Sequence, residues 1–203
     1  MPEILPLAFY GRDDVVQVSR ELIGKFLCTN INGKLTSGMI VETEAYSGRT
    51  DKASHAYPDV KTKRTETMYG PPGRAYVYLC YGIHHLFNVV TNQEGLADAV
   101  LIRAVEPDTG VEEMLSRRNR KMVEPSISNG PGKLSQALGI KTDHDKISLQ
   151  SDELWIEDRN IEIAESQILS DKRVGVDYAG EDANLPWRFL LNDSKWVSKK
   201  IQI

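Results

Sequence analysis

The chain has 203 residues, of which 40% are hydrophobic and 27% are charged. This composition is typical of one ordinary globular domain, and it excludes a disordered chain, a fibrous protein and a miniprotein held together by disulfides. The formal net charge is −4, which by itself argues against a nucleic-acid partner.

An amphipathic helix and a tight hairpin are the first elements that the sequence predicts. Asp13 or Asp14 can cap the helix, and Gly24 can end it in a left-handed conformation. The dipeptide Asn32-Gly33 is the strongest short signal for a two-residue hairpin turn. We therefore expect a strand on each side of it, at residues 25–31 and 34–44.

A second hairpin and a buried strand follow the segment 47–74, whose repeated glycines and prolines predict irregular structure. Tyrosines alternate along residues 75–81, Gly82 can form the turn, and residues 83–91 supply the returning strand. The apolar run 100–105 predicts a buried strand that carries one arginine. We expect Glu106-Pro107 to end that strand.

The rest of the chain predicts two helices and three short strands. The helices are expected from Asp108 to about Lys121 and from Lys133 to Leu138, with Gly139 as the C-cap of the second. The strands are expected at Leu154–Ile163, Arg173–Val176 and Trp187–Leu191. Many strands with few helices between them favour an α+β fold around an antiparallel sheet.

The charge of the chain is unevenly distributed. Residues 141–183 hold 12 acids and 5 bases, a net charge of −7, so the remaining residues have 17 acids and 20 bases, a net charge of +3. Two segments are distinctly basic, Lys61–Arg74 and Arg117–Lys121. Such runs are commonly solvated surfaces, and they can also bind phosphates.

Two carboxylates and a group of tyrosines are the candidates for chemistry. Glu42 and Glu44 are two residues apart on a predicted strand, so their side chains project from the same face. This arrangement suits acid–base chemistry, and it also suits a solvent-facing strand edge. The nearby tyrosines can stack on a planar ligand or simply pack the sheet; they are Tyr46, Tyr76, Tyr78 and Tyr81.

A series of motifs between residues 12 and 198 resembles one enzyme family. The motifs are Val41-Glu42-Thr43-Glu44-Ala45-Tyr46, His55, Tyr76-Val77-Tyr78 with Tyr81-Gly82, Asn88, Leu101 to Pro107, Gly130 to Leu134, Arg173 to Val176 and Trp196 to Ser198. In this order and with these separations they resemble the alkyladenine (3-methyladenine or methylpurine) DNA glycosylase family. One motif alone is weakly specific, whereas the ordered series is strongly specific.

The resemblance implies one α+β domain of residues 1–203, with a curved antiparallel β-sheet flanked by helices and a protruding β-hairpin. It also implies an enzyme of base-excision repair. The family turns alkylated or deaminated purines, such as 3-methyladenine and hypoxanthine, out of double-stranded DNA and hydrolyses the N-glycosidic bond. It uses no metal and no other cofactor, and we expect a monomer. No lysine lies in the Glu44-Ala45-Tyr46 motif, which predicts a monofunctional enzyme without strand cleavage.

The resemblance also assigns catalytic roles. It implies that Glu44 is the general base that activates water, and that Arg103 and the main-chain carbonyl of Val174 help to hold this water. A buried arginine needs a carboxylate partner, and pairing with Arg103 would stabilise a negative charge on Glu44. Without the resemblance, Arg103 could equally be part of a structural salt bridge.

Four residues resemble the family's base pocket. Tyr46 and Tyr78 are expected to form its two walls, with His55 beside Tyr46 to read the 6-position of the purine. Alkylated purines such as 3-methyladenine are cationic, and aromatic faces attract cations beyond ordinary stacking. Asn88 is expected to crowd the 2-amino group of guanine, which disfavours a normal base.

The resemblance places further residues at the DNA. Tyr81, beside Gly82, is expected to enter the minor groove and fill the space that the flipped nucleotide leaves. Met68, Arg74 and Lys133 are expected near the DNA face. The sequence departs from the animal members at Ile83-His84-His85, so the hairpin tip can interrogate lesions differently.

Two other functions are open from the residues alone. One is a nucleoside or glycoside hydrolase that uses Glu42 and Glu44 as an acid–base pair. The other is a non-catalytic module that binds nucleic acid through the same aromatic side chains. Neither a secretory signal nor a run of 18 apolar residues is present in the sequence, so we expect a cytoplasmic, bacterial-type protein with no membrane partner.

Overall fold

One antiparallel sheet organises the part of the chain that the computed structural model describes, residues 2–201. Its strands are β1 (Glu3–Ile4), β2 (Phe26–Ile31), β3 (Lys34–Tyr46), β4 (Ala75–Cys80), β5 (His84–Thr91), β6 (Asp98–Thr109), β7 (Leu154–Asp158), β8 (Ile168–Asp171) and β9 (Arg188–Leu191). The α-helices are α1 (Leu7–Tyr10), α2 (Val15–Glu21), α3 (Val111–Arg117) and α4 (Pro131–Leu138). Short 3-10 helices span Glu66–Tyr69, Pro125–Ile127, Thr142–His144, Glu165–Gln167 and Asp177–Asn184.

The strand order is β1-β7-β2-β3-β6-β5-β4, and β9 pairs with both β3 and β8. Every one of these pairings is antiparallel, and the sheet curls into a half-barrel. The prediction of an α+β fold around a curved antiparallel sheet is confirmed. The long strand β3 pairs with β2, β6 and β9, so it crosses the middle of the sheet.

Local sequence signals determine helix α2 and both hairpins. The Asp14 carboxylate accepts a hydrogen bond from the backbone N–H of Gln17 at 2.9 Å, which caps α2. Asn32 and Gly33 have φ values of 55° and 71°, the left-handed geometry of a tight hairpin turn. The turn at Tyr81 and Gly82 has the same geometry. Both predicted hairpins are therefore confirmed.

The two faces of β3 have different partners. Thr43 faces α2, because its hydroxyl donates to the backbone carbonyl of Ser19 at 2.8 Å. Glu42 and Glu44 both contact Arg103, so they share the face that points away from α2. Helices α2 and α4 bury apolar side chains against the sheet. The packing on one face leaves the other face of β3 available for a polar site.

Two predicted boundaries near residue 107 are wrong. Strand β6 continues through Pro107 to Thr109. Pro107 pairs with β3 next to a register shift in the ladder, and at such an irregularity a residue without a backbone N–H is tolerated. Helix α3 begins at Val111 instead of Asp108. Gly110 separates the two elements with φ of 70°, and a Cβ there would lie 2.2 Å from the Leu35 carbonyl oxygen.

In the acidic part of the chain, one predicted strand is absent and another ends earlier than predicted. Residues 173–176 form a loop, because the backbone N–H of Val174 donates to the Glu44 side chain at 2.7 Å instead of a neighbouring strand. Strand β7 ends at Asp158 instead of Ile163. The Asp158 carboxylate accepts the N–H of Asn160 at 2.8 Å, and this turn, with Asn160 at φ 57°, stops the strand.

The basic run at residues 117–121 has a structural role in part. Arg117 pairs with Glu113 at 3.1 Å and donates to the Ala137 carbonyl at 3.2 Å, which joins α3 to α4. Arg118 donates to the backbone carbonyls of Ser126 and Ile127.

Within residues 2–201, no helix has the length and apolar character needed to cross a membrane.

Candidate active site

A cavity of about 560 Å³ lies between the sheet, the irregular segment after β3 and the loop 173–176. Its volume is within the range of about 300–1,000 Å³ that small-molecule sites occupy. The side chains that line it and carry the following argument are Glu44, Tyr46, His55, Arg64, Met68, Tyr76, Tyr78, Asn88, Arg103, Val174 and Tyr178. The candidate residues Glu44, Tyr46, His55, Tyr78, Asn88 and Arg103 therefore come together at one place.

The Glu44 carboxylate lies at the cavity and is held by three donors. Its Oε1 accepts the Val174 backbone N–H at 2.7 Å. Its Oε2 accepts the Tyr46 hydroxyl at 2.7 Å and the Arg103 guanidinium at 3.2 Å. A carboxylate offers about four acceptor sites, so one site remains. The exposed fraction of the Glu44 side chain is 0%, which makes this a fixed and desolvated carboxylate.

Arg103 is the charge partner that the sequence predicts for Glu44. Its Nε donates to Glu42 at 2.9 Å, and its two terminal nitrogens donate to Glu44 and to the Ser198 hydroxyl. Burial disfavours the positive charge of Arg103, but the carboxylates of Glu44 and Glu42 outweigh burial and raise its pKa. The guanidinium stays charged and fixes the direction of the Glu44 carboxylate.

Glu42 is fully committed to structure. Its carboxylate accepts hydrogen bonds from Arg103, from Arg188 at 3.1 Å, and from both the backbone N–H and the hydroxyl of Ser198. Its side chain has no exposed area, and it does not contribute to the described lining of the cavity. An acid–base pair made of Glu42 and Glu44 is therefore not what this geometry supports.

Aromatic rings form one side of the cavity. The rings of Tyr76 and Tyr78 stack with centroids 5.4 Å apart, and His55 meets Tyr78 edge-on at 4.7 Å. The expectation that His55 lies beside Tyr46 is not what the ring contacts show, since His55 contacts Tyr76 and Tyr78. Tyr46 lines the same cavity from β3, and its ring lies 4.8 Å from the guanidinium of Arg173. Burial and the neighbouring Glu44 raise the pKa of Tyr46, which keeps its hydroxyl a donor.

The hydrogen bonds of His55 define its tautomer. A guanidinium can only donate, so the 3.0 Å contact of Arg64 makes Nε2 of His55 an acceptor. The proton of the neutral ring is therefore on Nδ1, which donates to the Tyr76 hydroxyl at 3.0 Å. Burial and the positive charge of Arg64 lower the pKa of His55 to about 4. His55 is neutral at physiological pH.

This low pKa predicts a pH-dependent contribution to stability. The pKa of His55 is about 4 in the folded chain, whereas an unperturbed histidine has a pKa of 6.5, so between these values the unfolded chain binds more protons. Stability is complete above pH 6.5 and is lost as the pH falls towards 4. We expect His55→Gln to lack this loss when urea unfolding free energies are measured above and below this window. If the difference in unfolding free energy between His55→Gln and the unchanged protein stays the same above and below this window, the assignment is contradicted.

The candidate DNA contacts differ in exposure. Tyr81 is 91% exposed at the tip of the β4–β5 hairpin, with Gly82 beside it. Lys133 is exposed at the start of α4 and bonds Asn129 at 2.8 Å. Arg74 is half-buried and donates to the Lys146 carbonyl. Met68 is only 2% exposed and lines the cavity, so its side chain faces the pocket and not the protein surface.

Asn88 lies in the cavity wall on β5. Its side chain is buried, and its amide nitrogen donates to the Tyr76 carbonyl at 3.1 Å. This bond fixes the side chain against β4, where Tyr76 and Tyr78 line the same cavity. Asn88 therefore presents a fixed edge to any ligand in the cavity.

Several site residues were not predicted from the sequence. Tyr178 is 71% exposed at the cavity, and its hydroxyl donates to the Ala53 carbonyl at 3.1 Å. Arg173 and Asp51 form a fully buried ion pair, and Arg173 also donates to the Ala45 carbonyl at 2.8 Å. The sequence carried only weak signals for these residues: Tyr178 is a single tyrosine in an acidic segment, and Asp51 and Arg173 are single charged residues near apolar residues.

Within residues 2–201, no group of three or more His, Cys, Asp or Glu side chains is placed to hold a metal ion.

Comparisons with known proteins agree on one family. The family model described as Methylpurine-DNA glycosylase (MPG) matches residues 8–195. A protein of Clostridium perfringens is 46% identical over 200 residues, covering 95% of this chain and 97% of that protein. A protein of Chlamydia felis is 48% identical over 199 residues, covering 98% of this chain and all of that protein. Both relatives carry the name "Putative 3-methyladenine DNA glycosylase".

Proposed function

The chain belongs to the methylpurine-DNA glycosylase family, and from this premise we propose that it releases damaged purines from double-stranded DNA. The proposed substrates are alkylated purines such as 3-methyladenine and deaminated purines such as hypoxanthine. The reaction is hydrolysis of the N-glycosidic bond of a flipped nucleotide, with free base and an abasic site as products. We also propose that residues 1–203 act as one catalytic domain. Residues 1, 202 and 203 lie outside the part of the chain that the structure describes.

The position of Glu44 is the observation that carries this proposal. Glycosidic cleavage builds positive charge on the sugar, and a fixed carboxylate stabilises that charge in a site that excludes bulk water. Three donors hold Glu44 and leave about one acceptor site for a proton of the attacking water. Glu44 can therefore both orient the water and take its proton.

Arg103 and Val174 support Glu44 in different ways. Arg103 fixes the direction of the carboxylate, because it bridges Glu42 and Glu44. The observed contact of Val174 is the donation of its N–H to Glu44, which fixes the loop 173–176 next to the carboxylate. The proposed role of the Val174 carbonyl as a second water acceptor is consistent with this placement.

The aromatic side chains support selection of a purine. Tyr46 and Tyr78 line the cavity that Glu44 shares, so a base stacked on them would bring its sugar towards the carboxylate. Electron-rich rings favour a cationic base such as 3-methyladenine. We propose that His55 contacts the purine edge and that Asn88 excludes the 2-amino group of guanine; their positions in the cavity lining and the bond that fixes Asn88 support this proposal.

The exposed Tyr81 predicts a requirement for a wedge in duplex DNA. Flipping a base costs a few kcal/mol of stacking, and a planar apolar side chain can offset part of it. We expect Tyr81→Ser to lower single-turnover base release from a lesion duplex about 10- to 100-fold, since about 1.4 kcal/mol corresponds to a factor of ten. A release rate equal to that of the unchanged protein would favour a hydrolase of free nucleosides.

Alkaline cleavage of lesion-containing DNA tests the proposed function. Duplexes with a single 3-methyladenine or hypoxanthine are incubated with the protein, and one half of each sample is then heated in alkali. We expect strand breaks only after alkali, because a monofunctional enzyme leaves an intact abasic strand. Binding of both duplexes without alkali-sensitive sites would instead identify a non-catalytic module.

A further inference from the structure

Arg64 occupies the place where the proposed base contacts lie. It belongs to the irregular segment that precedes the 3-10 helix Glu66–Tyr69, and it lines the cavity. One of its terminal nitrogens is 3.0 Å from Nε2 of His55, and its central carbon lies 5.2 Å from the centre of the Tyr78 ring. These are the imidazole edge and one of the aromatic rings that a flipped purine is proposed to use.

The guanidinium of Arg64 has no acidic partner there. No carboxylate of residues 2–201 lies within 4.0 Å of it, whereas Arg103 in the same cavity pairs with two. Arg64 is also exposed, while Arg103 is buried. An exposed cation held by a neutral ring and a tyrosine face loses little when it returns to water. Its contacts are therefore replaceable by a ligand.

We propose that Arg64 is the resident occupant of the base site in the DNA-free protein, and that a flipped purine enters only by displacing it. The inference rests on the proposed roles of His55 and Tyr78 as base contacts. Arg64 is then a specificity-determining residue, because every base that enters must offer more to the pocket than the guanidinium does.

The chemistry of the displaced contacts explains the selection. A planar cation on Tyr78 resembles a cationic alkylated purine, and like charges cannot share the pocket. The exocyclic amino group of 3-methyladenine is a donor, so it can replace the guanidinium N–H on the unprotonated Nε2 of His55 directly. Hypoxanthine has no amino group, but it can offer its ring N1–H to the same nitrogen. A base that stacks weakly or offers neither kind of donor there leaves Arg64 in place.

Binding of the free base tests this proposal without any DNA cleavage. The dissociation constant of free 3-methyladenine is measured by calorimetry for the unchanged protein, for Arg64→Ala and for Lys63→Ala as a matched control. Lys63 is exposed, carries the same charge and does not line the described cavity. An occupant that fills a site about nine-tenths of the time weakens ligand binding about tenfold, and its removal restores that factor. We expect this gain for Arg64→Ala and none for Lys63→Ala. Unchanged or weaker binding by Arg64→Ala overturns the proposal.

The titration of His55, followed by NMR, provides a second readout that needs no ligand. Because the positive charge of Arg64 contributes to the low pKa of His55, Arg64→Ala raises this pKa from about 4, while burial keeps it below 6.5. Lys63→Ala leaves it in place. An unshifted His55 in Arg64→Ala overturns the proposal. Failure of the proposed function appears separately, as the absence of base release by the unchanged protein from lesion duplexes.

Discussion

Glu44→Gln is expected to lower base release from a lesion duplex by about 10²–10⁴-fold, the usual contribution of a general base. The amide keeps the shape of the side chain, and its one oxygen can still accept from Val174. Its nitrogen then faces the Tyr46 hydroxyl and Arg103, and the amide cannot take a proton from water. It also lacks the charge that stabilises the developing positive sugar. Single-turnover release of free purine under saturating protein measures this loss.

Two controls make the Glu44 result specific. Binding of the lesion duplex by Glu44→Gln is expected to stay within about threefold, since the stacking residues are unchanged; threefold is about 0.7 kcal/mol. Glu106→Gln makes the same chemical change on β6, away from the described cavity lining, and is expected to leave base release unchanged. Equal release by Glu44→Gln and Glu106→Gln would remove Glu44 from the chemistry.

Arg103→Met is expected to lower the free energy of unfolding by about 3–5 kcal/mol, the largest loss of stability among the substitutions considered. The substitution leaves the carboxylates of Glu42 and Glu44 buried without the cation that joins them. Urea unfolding measures the change. Base release is expected to fall as well, because Glu44 then lacks the guanidinium that aims it.

Arg159→Met is the matched control for this loss. Arg159 also pairs with two carboxylates, Asp108 and Glu157, but its side chain is 25% exposed and that of Arg103 is 8% exposed. Partly exposed pairs contribute about 0–1 kcal/mol each, so we expect a much smaller loss. A loss for Arg103→Met no greater than that for Arg159→Met would contradict the account of the buried network.

Features that depend on neighbouring residues could be predicted from the sequence. The turns at Asn32-Gly33 and Tyr81-Gly82 follow from backbone preferences, and their strands follow from alternating side chains. Features that depend on distant partners could not. The chain at 173–176 has valines at alternate positions, a strand-like pattern, yet its backbone bonds a carboxylate about 130 residues earlier. Strand β6 passes Pro107 because the irregularity that allows it lies on β3.

The site residues also differ in whether they could be predicted from the sequence. The resemblance named residues that the structure brings to one cavity: Glu44, Tyr46, Tyr78, Asn88 and Arg103 all line it. It did not name Arg64, which contacts His55 within the same irregular segment, or Tyr178, whose hydroxyl bonds Ala53 about 125 residues earlier in the chain. Single charges and tyrosines in irregular segments carry no periodic signal, so only their positions in space reveal a role.

A crystal structure of Glu44→Gln bound to a duplex with one 3-methyladenine would test the central claim most directly. We predict a flipped purine between Tyr46 and Tyr78, Tyr81 inserted in the duplex, and a water about 3–3.5 Å from both the sugar C1′ and the side chain at position 44. A base that remains stacked in the helix, or a C1′ that faces away from position 44, would contradict the claim.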